Sequence, residues 1–177
     1  VGPGGGDPLS SGGDDPRRAL EARANATFLE AMANAPVAFY AAEQGDAPAT
    51  LDRNAPLAVA IQALDGFSNI DINAAVGTIF SVLPALQADE RETFRQPGRR
   101  QLAAGFVVYG PQLGLVLTLG KGTHVFIFSA PLGVFVQAQE SCMIPAEATE
   151  YAINASNYRH WREAVRLYID DCLSGAD

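Results

Sequence analysis

Basic side chains, cysteine and histidine are all scarce in this 177-residue chain. Twelve Lys and Arg stand against twenty Asp and Glu, a formal net charge of −8 with a sequence pI near 4.7. Polyanions are held by clustered Lys and Arg, so this balance argues against nucleic acid or an anionic membrane surface as partner. Only the neighbourhood of Arg91 to Arg100 is locally basic. Cys142 and Cys172 lie too far apart in sequence for a metal-ligand pair or a disulfide framework, which implies a reducing compartment. His124 and His160 have no Cys, Asp or Glu at ligand spacing and read as a strand-face residue and a helix-start residue. Charge is missing altogether from Leu102 to Gly120, a stretch nearly long enough to span a bilayer. Four glycines, with Pro111 and Gln112 at its middle, fit two buried strands joined at Gly110-Pro111 better than a membrane helix.

What is present is a core. A hydrophobic content of 48% with 18% charged residues suits one globular unit large enough to bury a sizeable interior. The opening VGPGGGDPLSSGGDDP has no apolar periodicity, and residues 1–14 read as a flexible leader ahead of a domain over 15–177. Pro16 suits the first turn of a helix capped by Asp14 or Asp15, in which Leu20, Ala24, Phe28, Leu29 and Met32 recur at helical spacing up to Ala33. Strands are expected at Val37–Ala42, Leu57–Ile61, Ala75–Val82, Gln101–Tyr109, Leu113–Leu119, Thr123–Phe128, Val134–Gln137 and Ala152–Ile153. A last helix from Tyr158 to Leu173 is expected to bury Trp161, Val165, Tyr168, Ile169 and Cys172. The whole is α+β, a sheet with helices packed on it.

Residues 57–81 read LAVAIQALDGFSNIDINAAVGTIFS, residues 96–109 QPGRRQLAAGFVVY, residues 116–136 VLTLGKGTHVFIFSAPLGVFV and residues 151–172 YAINASNYRHWREAVRLYIDDC. In this order they resemble the class I fructose-1,6-bisphosphatase family, with its D-P-L-D-G-S-S-N-I-D loop, V-G-T-I-F strand, Q-P-G turn, T-x-G-K-G-V-H hairpin and Y-S-I-N-E-G-N-Y-x-x-W segment. The resemblance runs from about Asp15 onward and covers only the first-sheet half of the family fold, which implies a mixed β-sheet with flanking helices.

It also implies a metal-assisted phosphatase site, from which this chain departs. Gln62 and Ala63 stand in place of the first Asp and the Pro, and Phe67 in place of the first Ser. Magnesium seeks charged oxygen ligands, and a neutral amide supplies none. The family's Glu-Glu pair reads Glu43-Gln44, Glu21 replaces an Asp, and Asn154 is followed by Ala155 and Ser156 in place of Glu-Gly. The resemblance thus leaves Asp65, Gly66, Ser68, Asn69 and Asn154 as vestigial phosphate or substrate contacts and Glu43 and Asp65 as a vestigial metal pair, with Asp15 a remote carboxylate and Asp71 retained. Asp65, Gly66, Ser68 and Asn69 also suit a plain tight turn, which Phe67 favours.

From these departures the sequence is read as a catalytically inactive relative, with no cofactor or at most a weakly held Mg. It is expected to act as a structural or accessory subunit whose protein partner covers the sheet face that the family's second half would cover. A second reading is a phosphate or phosphosugar sensor, or a regulator of an intact fructose-bisphosphatase. A third is a sugar phosphatase completed by a partner chain. The Gly/Pro-rich start suits a processed precursor, and the N-Y-x-x-W and Y-I-D-D segments, which resemble plant and algal members, with the Ala-rich, Arg-over-Lys composition lead to the expectation of a plastid or mitochondrion over the cytoplasm.

Overall fold

The computed structural model describes residues 16–43, 47–148 and 150–175, which form two compact units, one ending at Met143 and one beginning at Ile144. The expected leader, Asp15 and Gln44 lie outside the described residues.

In the first unit helix α1 (Pro16–Ala33) is followed by β1 (Val37–Ala42), β2 (Ala49–Thr50), β3 (Leu57–Asp65), β4 (Val76–Pro84), the short helix α2 (Glu90–Phe94), β5 (Ala103–Tyr109), β6 (Gly114–Thr118), β7 (Thr123–Ser129) and β8 (Val134–Cys142). All eight strands join one sheet in the order β2-β1-β3-β4-β5-β6-β7-β8. From β3 onward each strand pairs antiparallel with the next, as short connections allow. Only β1 and β3 run parallel, so the sheet is mixed. That pair is what brings the carboxyl ends of two strands to one edge of the unit.

The core lies at the β1–β3 end of this sheet, where both faces are buried. Ala38, Phe39, Ala55, Ala58 and Leu83 form the buried cluster, with Ala85 and Phe94 packed against it. Helix α2 is held there by its cap, because Asp89 Oδ1 accepts from the backbone N–H groups of Arg91 and Glu92 at 2.7 and 3.2 Å. Thr93 is fully buried, and its hydroxyl accepts from Leu86 N–H at 3.0 Å and lies 3.0 Å from Asp89 O. The sequence showed no helix here, since five residues are too few for a period to register. Gly105 has a packing reason: a Cβ there would lie 2.8 Å from Phe80 Cζ and collide with the Val116 carbonyl.

The outer strands β5 to β8 are thinly covered. Phe106, Val134, Phe135 and Val136 are all exposed, and every residue of β8 except Cys142 is exposed. Residues 102–120 form β5 and β6 as expected, and among the described residues no helix is long and apolar enough to cross a membrane.

The second unit departs from expectation. There is no strand at Ala152–Ile153; a 3-10 segment spans Ala155–His160, and helix α3 begins only at Glu163 and runs to Ser174. Trp161 and Arg162 are extended, which breaks the helix expected from Tyr158. Val165 is 43% and Tyr168 67% exposed, so of the five residues expected to be buried only Ile169 is fully so. Helical spacing identified the apolar stripe of α3, but spacing alone does not provide a surface to cover it.

Strand β3 contains the irregularity that matters most. Gln62 pairs with Ile79 and Asp65 with Gly77, so three steps on β3 match two on β4. One extra residue on one strand is a β-bulge, which leaves part of the ladder unpaired and re-aims the side chains beyond it. The Ala63 carbonyl within the bulge is met by the hydroxyl of Thr78, which donates to it at 2.8 Å, and the Tyr109 hydroxyl lies 2.7 Å from the same Thr78 oxygen. Thr78 is 1% exposed, so no bulk water can replace it. Replacing Thr78 by Val keeps the shape and removes the donor. It is expected to cost about 1–3 kcal/mol in urea unfolding, while Thr78→Ser retains most of the stability.

Candidate functional site

The site forms where β1 and β3 end. Because these strands are parallel, with Ala42 opposite Ile61, the residues that follow them emerge side by side. Glu43 leaves β1 with its backbone N–H donating to Ile61 O at 3.2 Å, and Asp65 ends β3 just beyond the bulge. Gly66 then takes φ +78°, a left-handed conformation that glycine adopts without the Cβ penalty, and starts a 3-10 turn over Phe67–Asn69. The Asn69 amide donates to Ala75 O at 2.8 Å, and Asn69 N–H to Gly66 O at 2.8 Å, so the loop is tied to the start of β4 by backbone acceptors.

Helix α1 supplies the other wall. Arg18 and Glu21 are three residues apart and therefore neighbours on its surface. Together Arg18, Glu21, Glu43, Gln62, Asp65 and Ser68 line one hollow of about 630 Å³, with Leu64 and Phe67 as its apolar walls. Glu21 is 8% exposed, unusual for a helical carboxylate. Three carboxylates, one guanidinium and the amide of Gln62 thus line one hollow, groups able to attract a phosphate at Arg18 and to orient water or move a proton at the carboxylates.

The fit to a divalent cation is poorer. Among the described residues no three of His, Cys, Asp and Glu come together closely enough to hold a metal ion. The carboxylates share the hollow without converging, and the residue between them offers an uncharged oxygen. Among the described residues the donor set does not fit a metal cluster.

Of the residues expected from sequence, Glu43, Gln62, Asp65, Gly66 and Ser68 come together in this hollow. Asn69 lines a smaller neighbouring hollow with Asp65 and Gly66, so its part is to hold the loop. Asn154 belongs to the second unit, where its Oδ1 accepts from Ser156 N–H at 3.1 Å and caps the 3-10 segment. His124 is a strand residue on β7, as expected, and its Nδ1 accepts from Ser141 N–H at 3.4 Å. Arg18 was not anticipated. Its three-residue offset from Glu21 puts the two on one helix face, but nothing in the sequence sets that face beside Glu43 and Asp65.

A family model described as "Fructose-1-6-bisphosphatase, N-terminal domain" matches residues 6–140. A protein of Rhizobium meliloti named "Fructose-1,6-bisphosphatase class 1" is 57% identical over 166 residues, covering 92% of this chain and 48% of the relative. One of the same name from Azorhizobium caulinodans is 46% identical over 175 residues, covering 97% of this chain and 53% of the relative. The chain spans about half the length of these relatives. The crystal structure of apo Leishmania major fructose-1,6-bisphosphatase superposes with a TM-score of 0.77 at 27% identity, over 86% of this chain and 53% of that one.

These likenesses correct one expectation. The sequence was read as a non-enzyme because of Gln62 and Gln44, yet relatives sharing about half of its residues carry the name of an enzyme. The reading rested on the two amides and on the half of the family fold that the sequence does not span, and gave too little weight to the retained frame. The frame that presents Glu21, Glu43 and Asp65 to one hollow stands intact around Gln62.

Restoring charge at position 62 addresses the cation directly. In isothermal titration with Mn²⁺, Gln62→Asp is expected to tighten binding by about tenfold or more, since hard divalent cations gain most from an added carboxylate. Equal binding by both proteins would show that residue 62 does not face the cation.

Proposed function

This chain belongs to the fructose-1,6-bisphosphatase family, and we propose that it supplies the N-terminal half of a sugar-phosphate phosphatase site. The observation that carries this reading is the gathering of Arg18, Glu21, Glu43 and Asp65 in one hollow at the ends of two parallel strands. In it Arg18 draws the phosphate, Glu43 and Asp65 orient the attacking water and accept its proton, and Phe67 and Leu64 limit the entry of solvent. The substrate class is a sugar bisphosphate, on the strength of the relatives' names. Any divalent cation is held weakly and acts as an accessory to these groups.

The exposed apolar residues of β5 to β8 support the second part of the proposal, that protein covers this face. The polypeptide that best fits is the other half of the fold, the portion of the relatives that this chain does not span.

The experiment joins this chain to the C-terminal half of the Rhizobium meliloti relative and follows phosphate release from fructose 1,6-bisphosphate. Release is expected, with Glu43→Gln and Asp65→Asn each lowering kcat by about 10²–10⁴-fold, the usual range for positioned acid–base groups. A folded chimera that releases no phosphate, with or without Gln62→Asp, would overturn the reading.

A further inference from the structure

Tyr109 ends β5 and does not line the candidate hollow, yet its hydroxyl stands one hydrogen bond away from the irregularity that precedes Asp65. Between the pairs Gln62–Ile79 and Asp65–Gly77, the two bulged residues Ala63 and Leu64 share one residue of β4, Thr78. On the other side β5 sets Val107 opposite Thr78, so Tyr109, two residues further along, shares a face with both and reaches Thr78 diagonally. Gly77 brings the two strands close at this point, since a Cβ there would collide with the Val107 carbonyl.

The direction of the two hydrogen bonds is forced. A threonine hydroxyl has one hydrogen, and a carbonyl can only accept. The hydrogen of Thr78 therefore goes to Ala63 O at 2.8 Å, and in the 2.7 Å bond the Tyr109 phenol is the donor. With one lone pair of Thr78 taken by the phenol, the hydroxyl hydrogen is turned toward the bulge. Thr78 is 1% exposed, so bulk water does not compete for its oxygen.

We propose that Tyr109 is a positioning residue for Asp65: acting through Thr78, it holds the bulge in the form that delivers the Asp65 carboxylate beside Glu43. Its effect on turnover rests on the reading of that hollow as a phosphatase site, while the geometry it fixes does not. Loss of the phenol leaves the Thr78 oxygen with a buried, unmatched lone pair and its hydroxyl free to turn away from Ala63. Asp65 is the first ionisable residue beyond the bulge and moves with it. Substrate binding is set by the groups that line the hollow, so the loss falls on kcat.

The test is a double-mutant cycle in the chimera with the C-terminal half of the Rhizobium meliloti relative. Tyr109→Phe is expected to lower kcat by about ten- to a hundredfold with KM unchanged, the scale of a small misplacement of one group. In a Thr78→Val background the same change is expected to have no further effect, because the route to the bulge is already cut. A contribution to general packing would add equally in both backgrounds. In the full 177-residue chain alone, NMR is expected to show the Asp65 carboxyl carbon and the Gly66 amide shifted by Tyr109→Phe and left near their wild-type positions by Thr78→Ser, which keeps both hydrogen bonds. A folded Tyr109→Phe chimera with wild-type kcat, or an equal loss in both backgrounds, overturns the assignment. An unfolded Tyr109→Phe chain overturns it too, since the phenol would then hold the sheet and not Asp65. A wild-type chimera that releases no phosphate counts against the phosphatase reading alone; the resonances then decide, and Asp65 and Gly66 signals unmoved by Tyr109→Phe overturn the positioning role.

Discussion

The hydrogen bond from the buried Thr78 hydroxyl to the Ala63 carbonyl is the constraint on which the site depends. A bulge in a central strand exposes backbone groups that must be satisfied inside the protein. Here the neighbouring strand satisfies one of them with a side chain, itself bonded to Tyr109 on the next strand. Three adjacent strands, β3, β4 and β5, are thereby locked around one irregularity. Its consequence is directional: the residue beyond the bulge, Asp65, leaves the ladder beside Glu43, and the loop that follows begins from a fixed point.

The same unit is unevenly finished. Its buried residues cluster on β1, β3 and the adjoining end of β4, where α1 and α2 contact the sheet, while β5 and β8 carry aromatic and branched side chains that remain exposed and β6 and β7 are half-buried. Such a face is costly in water and explains why the fold is read here as one half of a larger one. The relatives, about twice as long, are consistent with that reading. Candidate site and exposed surface therefore arise from one architecture: the strands that end at the site are the best packed, and the outer strands are the most exposed.

Much of this was legible in the sequence. The D-G-x-S-N loop and the Q-P-G turn carried the resemblance to the family and, with it, the mixed sheet, while turn residues and apolar patterning, as in the uncharged run at 102–120, located strands because they act locally. The second unit was less legible. Tyr158 and Trp161 pack as a ring pair at 5.4 Å and Tyr158 bonds Asp170 at 2.9 Å, contacts that form a small unit without a continuous helix from Tyr158 onward. Helix α2 escaped notice because its signal is a cap and a buried threonine, not a period. Arg18 escaped because a lone arginine on a helix has no meaning until the strands place carboxylates opposite it.

The weightiest misreading, that an altered carboxylate implies a lost enzyme, has an instructive physical origin. The interactions that build the loop are the left-handed Gly66, the amide of Asn69 on Ala75 O and the hydroxyl of Thr78 on Ala63 O. None uses the side chain at position 62. Fold and charge at this position are thus separable: an Asp or a Gln fits the same strand, and the frame gives no sign of which chemistry it serves. In the proposed site a change at residue 62 bears on the charge beside the hollow, while Arg18, Glu43 and Asp65 are placed there by other elements. Inactivity would follow from Gln62 alone only if every catalytic contribution passed through that one ligand. The hollow beside it is also lined by three carboxylates and a guanidinium, so in the proposed site the electrostatic contribution is divided among several groups.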